Sequence, residues 1–253
     1  MRLTFLGTGT STGVPQIGCS CEVCTSTDPR DNRMRTSALV ETCGKRLLID
    51  CGPDFRTQIL RAGSPSIDAL LVTHTHYDHL GGIDDLRPYC YRPGGFPVYC
   101  RSDVESDIRT RMPYCFGPLH YPGAPVFHIH TISSDPFCIQ DIEILPLPVM
   151  HTPQLAITGF RIGPLAYVTD CKIMPPDTIS RMQGCHTLVI NALRHQEHPS
   201  HLNLRQAIDV INAVKPRRAL LTHLSHHMGL HADVSASLPA GIEIAYDGFT
   251  IEI

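Results

Sequence analysis

The feature that most constrains the fold of this 253-residue chain is the segment His-Thr-His-Tyr-Asp-His at positions 74–79. It directly follows the apolar run 69–72, which predicts a buried strand. A strand end is rigid enough to aim ligands, and the loop beyond it leaves positions open for water and substrate. The chain has 15 His, so some clustering is expected by chance, but this density after a strand indicates a metal site. The candidate ligands are His74, His76, Asp78 and His79.

Three later segments place one metal-capable side chain directly after a short apolar run. His151 follows residues 147–150, Asp170 follows 167–169 and His223 follows 220–222. Each residue alone is more simply an ordinary surface or hydrogen-bonded side chain, but the repeated placement favours a shared site. Asp50, after residues 47–49, is placed either to accept an N–H from a ligand imidazole or to cap a helix or turn.

On these residues the chain resembles the metallo-β-lactamase superfamily, whose H-x-H-x-D-H motif matches the segment 74–79 in type and order. The match spans essentially the whole chain and implies an α/β fold, a four-layer αββα sandwich of two mixed sheets with helices outside. The motif is specific to the superfamily but not to a substrate. The resemblance implies that one metal is held by His74, His76 and His151, a second by Asp78, His79 and His223, and that Asp170 bridges them.

Physical chemistry agrees with a dinuclear centre. Imidazole and carboxylate ligands favour zinc or manganese, and two ions about 3.5–4 Å apart can share a hydroxide and stabilise both oxygens of a displacement. We therefore expect two divalent catalytic metals, with Asp78 and Asp170 counted among the catalytic residues as well as the ligands.

His201 is the candidate general acid. It immediately precedes a helical pattern in residues 202–214 that Pro216 ends, and the N-terminus of a helix favours anions. A phosphodiester leaving group needs a proton, and a His near its ordinary pKa of about 6.5 can donate one at neutral pH. The competing interpretation is a surface His.

A second metal site is indicated by three cysteines at C-x-C-x-x-C spacing, Cys19, Cys21 and Cys24. Three thiolates within six residues can share a tetrahedral zinc, but the fourth ligand must come from elsewhere. His226 lies three residues beyond His223, so one loop could reach both sites, and His227 competes for the same role. The 11 Cys are otherwise mostly isolated, which argues for reduced thiols rather than a disulfide framework.

This Cys-rich segment narrows the resemblance to the PhnP group of cyclic phosphodiesterases. In that group a closed Cys₃His zinc is structural, and a His 22 residues before the last catalytic ligand acts in catalysis. Here His201 precedes His223 by 22 residues. The resemblance therefore implies catalysis by His201 and a structural zinc held by Cys19, Cys21, Cys24 and His226.

Several segments do not match this pattern. The Pro- and Gly-rich stretch 113–126 predicts a surface loop or lid, and His128 and His130 fit no motif. Glycines at positions 7, 9 and 13 lack both a Walker lysine and the G-x-G-x-x-G spacing, so we expect a tight active-site loop there. No linker interrupts the strand and helix signals, which predicts one domain, residues 1–253, with two weakly similar halves.

Composition limits the partners. The net charge is −3 and the basic residues are scattered, so no long nucleic acid is expected. No stretch approaches the roughly 18 apolar residues of a membrane span, and no signal peptide is evident, so we expect a cytoplasmic protein without a membrane partner. A homodimer is compatible with the sequence.

The sequence therefore predicts a metal-dependent hydrolase of small or cyclic phosphodiesters, using a metal-bridged hydroxide and His201. The alternatives are a nuclease of the tRNA 3′-processing type, a lactone or thioester hydrolase, and, outside the enzymes, a zinc-dependent sensor or structural module. The absence of a basic patch disfavours the nuclease, and the complete ligand set disfavours the sensor.

Overall fold

A computed structural model describes all 253 residues. Its strands are β1 (Arg2–Gly7), β2 (Ser37–Thr42), β3 (Lys45–Ile49), β4 (Ala69–Leu71), β5 (Phe96–Cys100), β6 (Phe127–Thr131), β7 (Phe137–Ile139), β8 (Ile142–Thr152), β9 (Leu155–Ile162), β10 (Leu165–Val168), β11 (Thr187–Asn191), β12 (Arg218–Thr222), β13 (Ile242–Ile244) and β14 (Thr250–Glu252). Its α-helices are α1 (Phe55–Arg61), α2 (Tyr77–Leu80), α3 (Ser102–Arg111), α4 (Pro176–Met182), α5 (Leu204–Val214) and α6 (His231–Ser237).

The strands form two seven-stranded sheets with the same pairing pattern. The first has the order β14-β1-β2-β3-β4-β5-β6 and the second β13-β12-β11-β10-β9-β8-β7. In the first sheet, β14 through β3 pair antiparallel, and β3 through β6 pair parallel. In the second sheet, β7 through β10 pair antiparallel, and β10 through β13 pair parallel. Both sheets are mixed, as expected.

Three buried apolar clusters make this a four-layer sandwich. Successive strand residues point to opposite faces, and here both faces are covered. In β3, Ile49 packs between the two sheets while Leu48 packs toward α1 and α3; in β11, Val189 packs between the sheets while Ile190 packs toward α4, α5 and α6. The αββα architecture is therefore confirmed.

Helix α5 shows how the local sequence sets an element. The side chain of Asn203 accepts a hydrogen bond from the backbone N–H of Gln206, whose side chain reaches back to the N–H of Asn203 in a capping box. The helix ends at Lys215, which adopts a left-handed conformation with φ 57° before Pro216. This cap starts α5 at Leu204, so His201 lies two residues before the N-cap. The expectation that His201 immediately precedes the helix was therefore wrong.

The segment 113–126 contains two short 3₁₀ turns, Pro113–Cys115 and Gly117–Leu119, and is otherwise irregular. It leads into β6, the edge strand of the first sheet. None of the helices in the chain has the length and apolar character needed to cross a bilayer.

Candidate metal centre

The segment 74–79 turns from β4 directly into α2. His74 lies three residues after the end of β4, His76 is the N-cap of α2, and Asp78 and His79 lie within the helix. His74, Asp78 and His79 are buried, whereas His76 is exposed. The site is therefore open to solvent on the His76 side, as a catalytic site requires.

Three other side chains are aimed from strand ends by an uncommon backbone conformation. Asp50 follows β3, Asp170 follows β10 by two residues and His223 follows β12, with φ angles of 62°, 52° and 56°. Asp and His enter this left-handed region more readily than most residues, but a non-glycine residue there is uncommon and such residues cluster at functional sites.

His151 enters the centre from the second sheet. It lies in the last residues of β8, where the register with β9 shifts between Met150 and Thr152. Its Nδ1–H donates to the backbone oxygen of Ser200 at 2.7 Å, which leaves Nε2 free to face the other histidines. The rings of His151 and His76 lie with centroids 5.0 Å apart.

The predicted ligands lie in two groups that share one carboxylate. In each group the potential ligand atoms lie within 4.8 Å of one another, and Asp170 belongs to both. Its Oδ2 is 2.8 Å from His79 Nε2 and 3.3 Å from His74 Nε2, and its Oδ1 is 2.8 Å from His223 Nε2. The first group is His74, His76, His151 and Asp170; the second is Asp78, His79, Asp170 and His223.

The orphaned polar atoms of this cluster fit divalent metals. Nε2 of His74, His79 and His223 and Oδ2 of Asp78 are buried without a hydrogen-bond partner. Buried polar atoms are almost always paired, so several such atoms facing one another fit a site for a bound cation. Imidazole and carboxylate donors suit zinc and manganese, and each group has three potential ligands of its own besides the shared Asp170, which is the number of protein ligands in a catalytic zinc site.

The carboxylates and imidazoles of the cluster stabilise each other's charged forms. Burial alone would raise the pKa of Asp170, but the imidazoles of His223 and His79 outweigh it and hold that pKa well below its ordinary value. Burial likewise opposes the charged form of His79, yet Asp170 and Asp78 raise its pKa well above the usual range, so a metal ion bound at Nε2 would take the place of a proton there. Asp170 is therefore an anion at neutral pH, ready to bind cations.

Asp50 fixes the orientation of two ligand imidazoles. His79 donates its Nδ1–H to Oδ2 of Asp50 at 2.6 Å. The hydroxyl of Thr73 donates to the same oxygen at 2.8 Å, so it accepts from Nδ1 of His74 at 2.9 Å. With Nδ1 protonated, each ring presents the lone pair of Nε2 to the centre. The orienting interpretation of Asp50 therefore agrees with the geometry, and the capping interpretation does not.

His201 lies at the edge of the centre with Nε2 3.7 Å from Oδ1 of Asp170. Its Nε2 is buried and has no hydrogen-bond partner. Burial is the main reason that the pKa of His201 is lowered to about 2. Asp170 opposes this shift, and the neighbouring His223 and His151 add to it. The expectation that His201 has a near-ordinary pKa was wrong, because the sequence does not show that this side chain is buried. The imidazole of His201 is therefore neutral before substrate binds.

The structure brings Cys19, Cys21, Cys24 and His226 together. Nδ1 of His226 lies 3.3, 3.3 and 3.4 Å from the three sulfurs. Zinc–sulfur and zinc–nitrogen bonds of about 2.3 and 2.0 Å in a tetrahedron place sulfur and nitrogen roughly 3.5 Å apart, so these distances fit a zinc site. The backbone N–H of Cys24 and the imidazole of His226 lower the pKa of the Cys21 thiol to about 6, which favours the thiolate. His227 is exposed and outside the cluster.

One short segment connects the two clusters. Leu224, directly after His223, donates its N–H to the oxygen of Thr8 and accepts from the N–H of Thr10. The glycine loop therefore lies against the segment that carries His223 and His226, next to the metal centre. A side chain at Gly7 would meet the backbone oxygen of Arg35 at 2.0 Å, which explains the glycine there. His128 and His130 lie on β6, with His130 stacked on Tyr99, and belong to neither cluster.

Sequence reasoning missed two groups that hold the ligands in place, Thr73 and Ser200. Thr73 precedes His74 in the chain, so a hydroxyl beside the motif was the available signal. Ser200 precedes His201, but its backbone oxygen holds His151, which lies 49 residues away. No sequence pattern marks that contact.

Comparison with known sequences finds a matching protein family and a similar, longer protein. Residues 45–224 match the family described as the beta-lactamase superfamily domain. An octanoyltransferase of Porphyromonas gingivalis is 46% identical over 251 residues, which covers 98% of this chain and 51% of that protein. The chain thus spans about half the length of that relative.

The chain is also similar to solved structures. The crystal structure of a diphosphatase from the PhnP family superposes with a TM-score of 0.92 and 38% identity, covering 100% of this chain and 97% of that one. Zn²⁺-bound PqqB from Methylobacterium extorquens superposes with a TM-score of 0.82 over 100% of both chains, but at 20% identity it supports the fold alone.

Proposed function

The chain belongs to the metallo-β-lactamase superfamily, close to its PhnP-type members, and on that premise we propose that it hydrolyses small phosphodiesters at a dinuclear metal centre. The observation that carries the proposal is the carboxylate of Asp170, shared by two groups of ligand atoms, with Nε2 of His201 3.7 Å away. A metallohydrolase is the coarser conclusion that the family supports; the dinuclear centre and the substrate are the proposal.

Two divalent ions held by these ligands would activate water for attack and neutralise charge on the phosphoryl oxygens. The residues of the chain perform the remaining tasks. Asp50 and Thr73 hold His79 and His74 in the tautomer that presents Nε2. Ser200 does the same for His151. Because these rings are already oriented, they need not move as charge develops during the reaction, and this preorganisation stabilises the transition state.

His201 is the proposed proton donor to the leaving oxygen. Its resting imidazole is neutral, because burial and neighbouring histidines lower its pKa. An anionic phosphodiester against Nε2 favours the charged form of the ring and raises that pKa, so the substrate itself promotes protonation of His201. The proton then passes from Nε2 to the leaving oxygen, which departs as an alcohol.

A small substrate fits the surface charge better than a long nucleic acid. Many arginines form ion pairs with carboxylates, including Arg2 with Glu41, Arg35 with Asp54 and Arg218 with Glu243. These cations are neutralised where they lie, and the net charge is −3. Strong nucleic-acid binding depends on unpaired Lys and Arg that neutralise phosphates.

The PhnP-family likeness further supports a phosphorus substrate, since that neighbour is described as a diphosphatase. The octanoyltransferase name belongs to a protein about twice as long as this chain and supports no acyl transfer here. The proposed cofactors are two divalent catalytic metals, zinc or manganese, and one structural zinc. The proposed partner is a small phosphodiester; cytoplasmic location and a homodimer remain expectations.

A substrate panel tests the proposed function. Purified protein is assayed with added zinc or manganese against 2′,3′-cyclic mononucleotides, linear phosphodiesters, a diphosphate ester, structured RNA, a lactone and a thioester. We expect the protein to hydrolyse cyclic or linear phosphodiesters, and we expect a chelator to abolish this activity. Turnover of only the lactone or thioester, with the same activity in His201→Ala, would replace the phosphodiesterase proposal. Cleavage of RNA alone would favour the nuclease, and two bound metals without any hydrolysis would favour a sensor.

A further inference from the structure

His198 lies behind His201, on the side of the ring opposite the metal centre. The Nδ1 atoms of the two histidines are 3.1 Å apart. Oγ of Ser200 lies 3.0 Å from Nδ1 of His201 and 3.2 Å from Nδ1 of His198. Two polar groups therefore hold His201 at Nδ1, while its Nε2 points to Asp170 without a hydrogen-bond partner.

The directions of these hydrogen bonds follow from the backbone. The N–H of Ser200 points at Nδ1 of His198 over 3.3 Å. Because an amide N–H can only donate, that nitrogen carries a lone pair. A second lone pair on Nδ1 of His201, 3.1 Å away, would repel it. The proton between the two rings therefore lies on Nδ1 of His201. Nδ1 of His198 and the hydroxyl oxygen of Ser200 both accept it.

We propose that His198 is a positioning residue for His201, and this inference rests on the proposed phosphodiesterase function. His198 accepts the Nδ1–H of His201 and so makes Nε2 the nitrogen that exchanges a proton with the leaving oxygen. The carboxylate of a Ser-His-Asp triad orients its histidine by the same kind of contact. Here a partly buried, neutral imidazole occupies that position, and it adds no negative charge that would compete for the metals.

Ser200 links this pair to the metal ligands through a different atom. Its backbone oxygen accepts from Nδ1 of His151, while its hydroxyl contacts His198 and His201. The rings of His151 and His201 lie edge to face with centroids 4.7 Å apart. Since the contact to His151 uses backbone oxygen, a substitution at position 198 leaves that ligand's partner in place. Loss of His198 and loss of metal are therefore separable.

Leaving-group dependence tests the inference. His198→Ala is compared with the native protein on a 4-nitrophenyl phosphodiester, whose leaving group needs no proton, and on a 2′,3′-cyclic mononucleotide, whose leaving group does. We expect kcat on the cyclic nucleotide to fall about 10- to 100-fold, the usual effect of removing an orienting partner, with KM, metal content and the nitrophenyl reaction nearly unchanged. An equal loss on both substrates, or no loss on either, would overturn the proposal.

Two further variants separate positioning from structural support. His198→Asn places an amide oxygen near the position of Nδ1, so it should recover most of the cyclic-nucleotide activity. His195→Ala is the matched control: His195 lies in the same loop but contacts the oxygen of Met228 rather than His201, and this variant should behave like the native protein. An Asn variant as slow as the Ala variant contradicts the role of an acceptor at position 198.

A spectroscopic readout is independent of activity. Long-range ¹H–¹⁵N correlation of the imidazoles should show His201 as the Nδ1–H tautomer in the native protein, and a loss of that preference in His198→Ala. An unchanged tautomer in the variant would overturn the inference. If the native protein hydrolyses no phosphodiester, the proposed function fails, while this spectrum still decides whether His198 orients His201.

Discussion

Oδ2 of Asp50 lies 2.6 Å from Nδ1 of His79, on the side of the ring facing away from the metal centre. The same carboxylate accepts hydrogen bonds from the backbone N–H and the hydroxyl of Thr73, and the hydroxyl in turn holds His74. One buried carboxylate, itself not a ligand, therefore orients an imidazole from each metal group.

Asp50→Asn should weaken catalytic metal binding without unfolding the protein. Asn tolerates the left-handed conformation at this position, but its amide nitrogen cannot accept from His79 or Thr73. We expect about 10- to 100-fold weaker metal affinity, measured by competition with a chelator. Asp68→Asn is the control, because Asp68 accepts from the N–H of Arg46 and touches no ligand. Equal affinities in the two variants would show that Asp50 does not orient the ligands.

Asp170→Asn should abolish most activity. The substitution keeps the shape of the side chain but removes the charge that both ligand groups share, and a shared cation-binding group is worth several kcal/mol, or about 100- to 1,000-fold or more in rate. The measurement is kcat/KM together with metal content. Asp209→Asn, on the exposed face of α5, controls for the loss of a charge. Full activity in a folded Asp170 variant would contradict a shared carboxylate.

Cys21→Ser should remove one zinc per chain and lower the melting temperature. A serine hydroxyl is a poor zinc ligand, and a closed zinc site contributes directly to folding. Cys43→Ser is the control, because Cys43 is exposed and outside the cluster. Metal analysis and thermal unfolding check the result. An unchanged metal count in Cys21→Ser would mean that the three thiols and His226 hold no zinc.

His231 should contribute to acid unfolding. Burial, followed by the Arg33 guanidinium that donates to Nδ1 of His231, lowers its pKa from 6.5 to about 4. Between these values the unfolded chain binds the proton and the folded chain does not, so this residue's contribution makes stability fall as pH falls from about 6.5 to about 4.

Urea unfolding at several pH values checks this contribution. In His231→Gln the amide oxygen still accepts from Arg33 but does not titrate, so the difference in stability between native protein and variant should change across that window. His128→Gln, at an exposed position on β6, should follow the native profile. A constant difference between His231→Gln and the native protein across the window would contradict the assignment.

The sequence predicted much of this arrangement because the ligands follow short apolar strands. The repeated placement of Asp170 and His223 after short apolar runs favoured a shared site, and the structure gives the reason: β10 to β12 pair in parallel, so their carboxyl ends lie at one edge of the sheet. The H-x-H-x-D-H segment identified the superfamily and hence the four layers. The choice between His226 and His227 needed coordinates, because it depends on the 3₁₀ turn His226–Met228.

The remaining features depend on segments that are distant in the chain. The lowered pKa of His201 results from burial against His223 and His151, which no local pattern reports. Ser200 contacts His151 through its backbone oxygen, which every residue type has, so the sequence could not predict this contact. The roles of the ligand residues, of the Cys cluster and of His201 stay predictions until metal and activity are measured.

Titration of metal into the apo catalytic centre tests the central claim most directly. The protein is stripped of its weakly held ions under conditions that leave any zinc at Cys19, Cys21, Cys24 and His226 in place. It is then titrated with Mn²⁺ while hydrolysis of a 2′,3′-cyclic mononucleotide is followed. The dinuclear phosphodiesterase account predicts little activity with one Mn²⁺ per chain and maximal activity with two. Full activity with one ion, or with none in excess chelator, would contradict it.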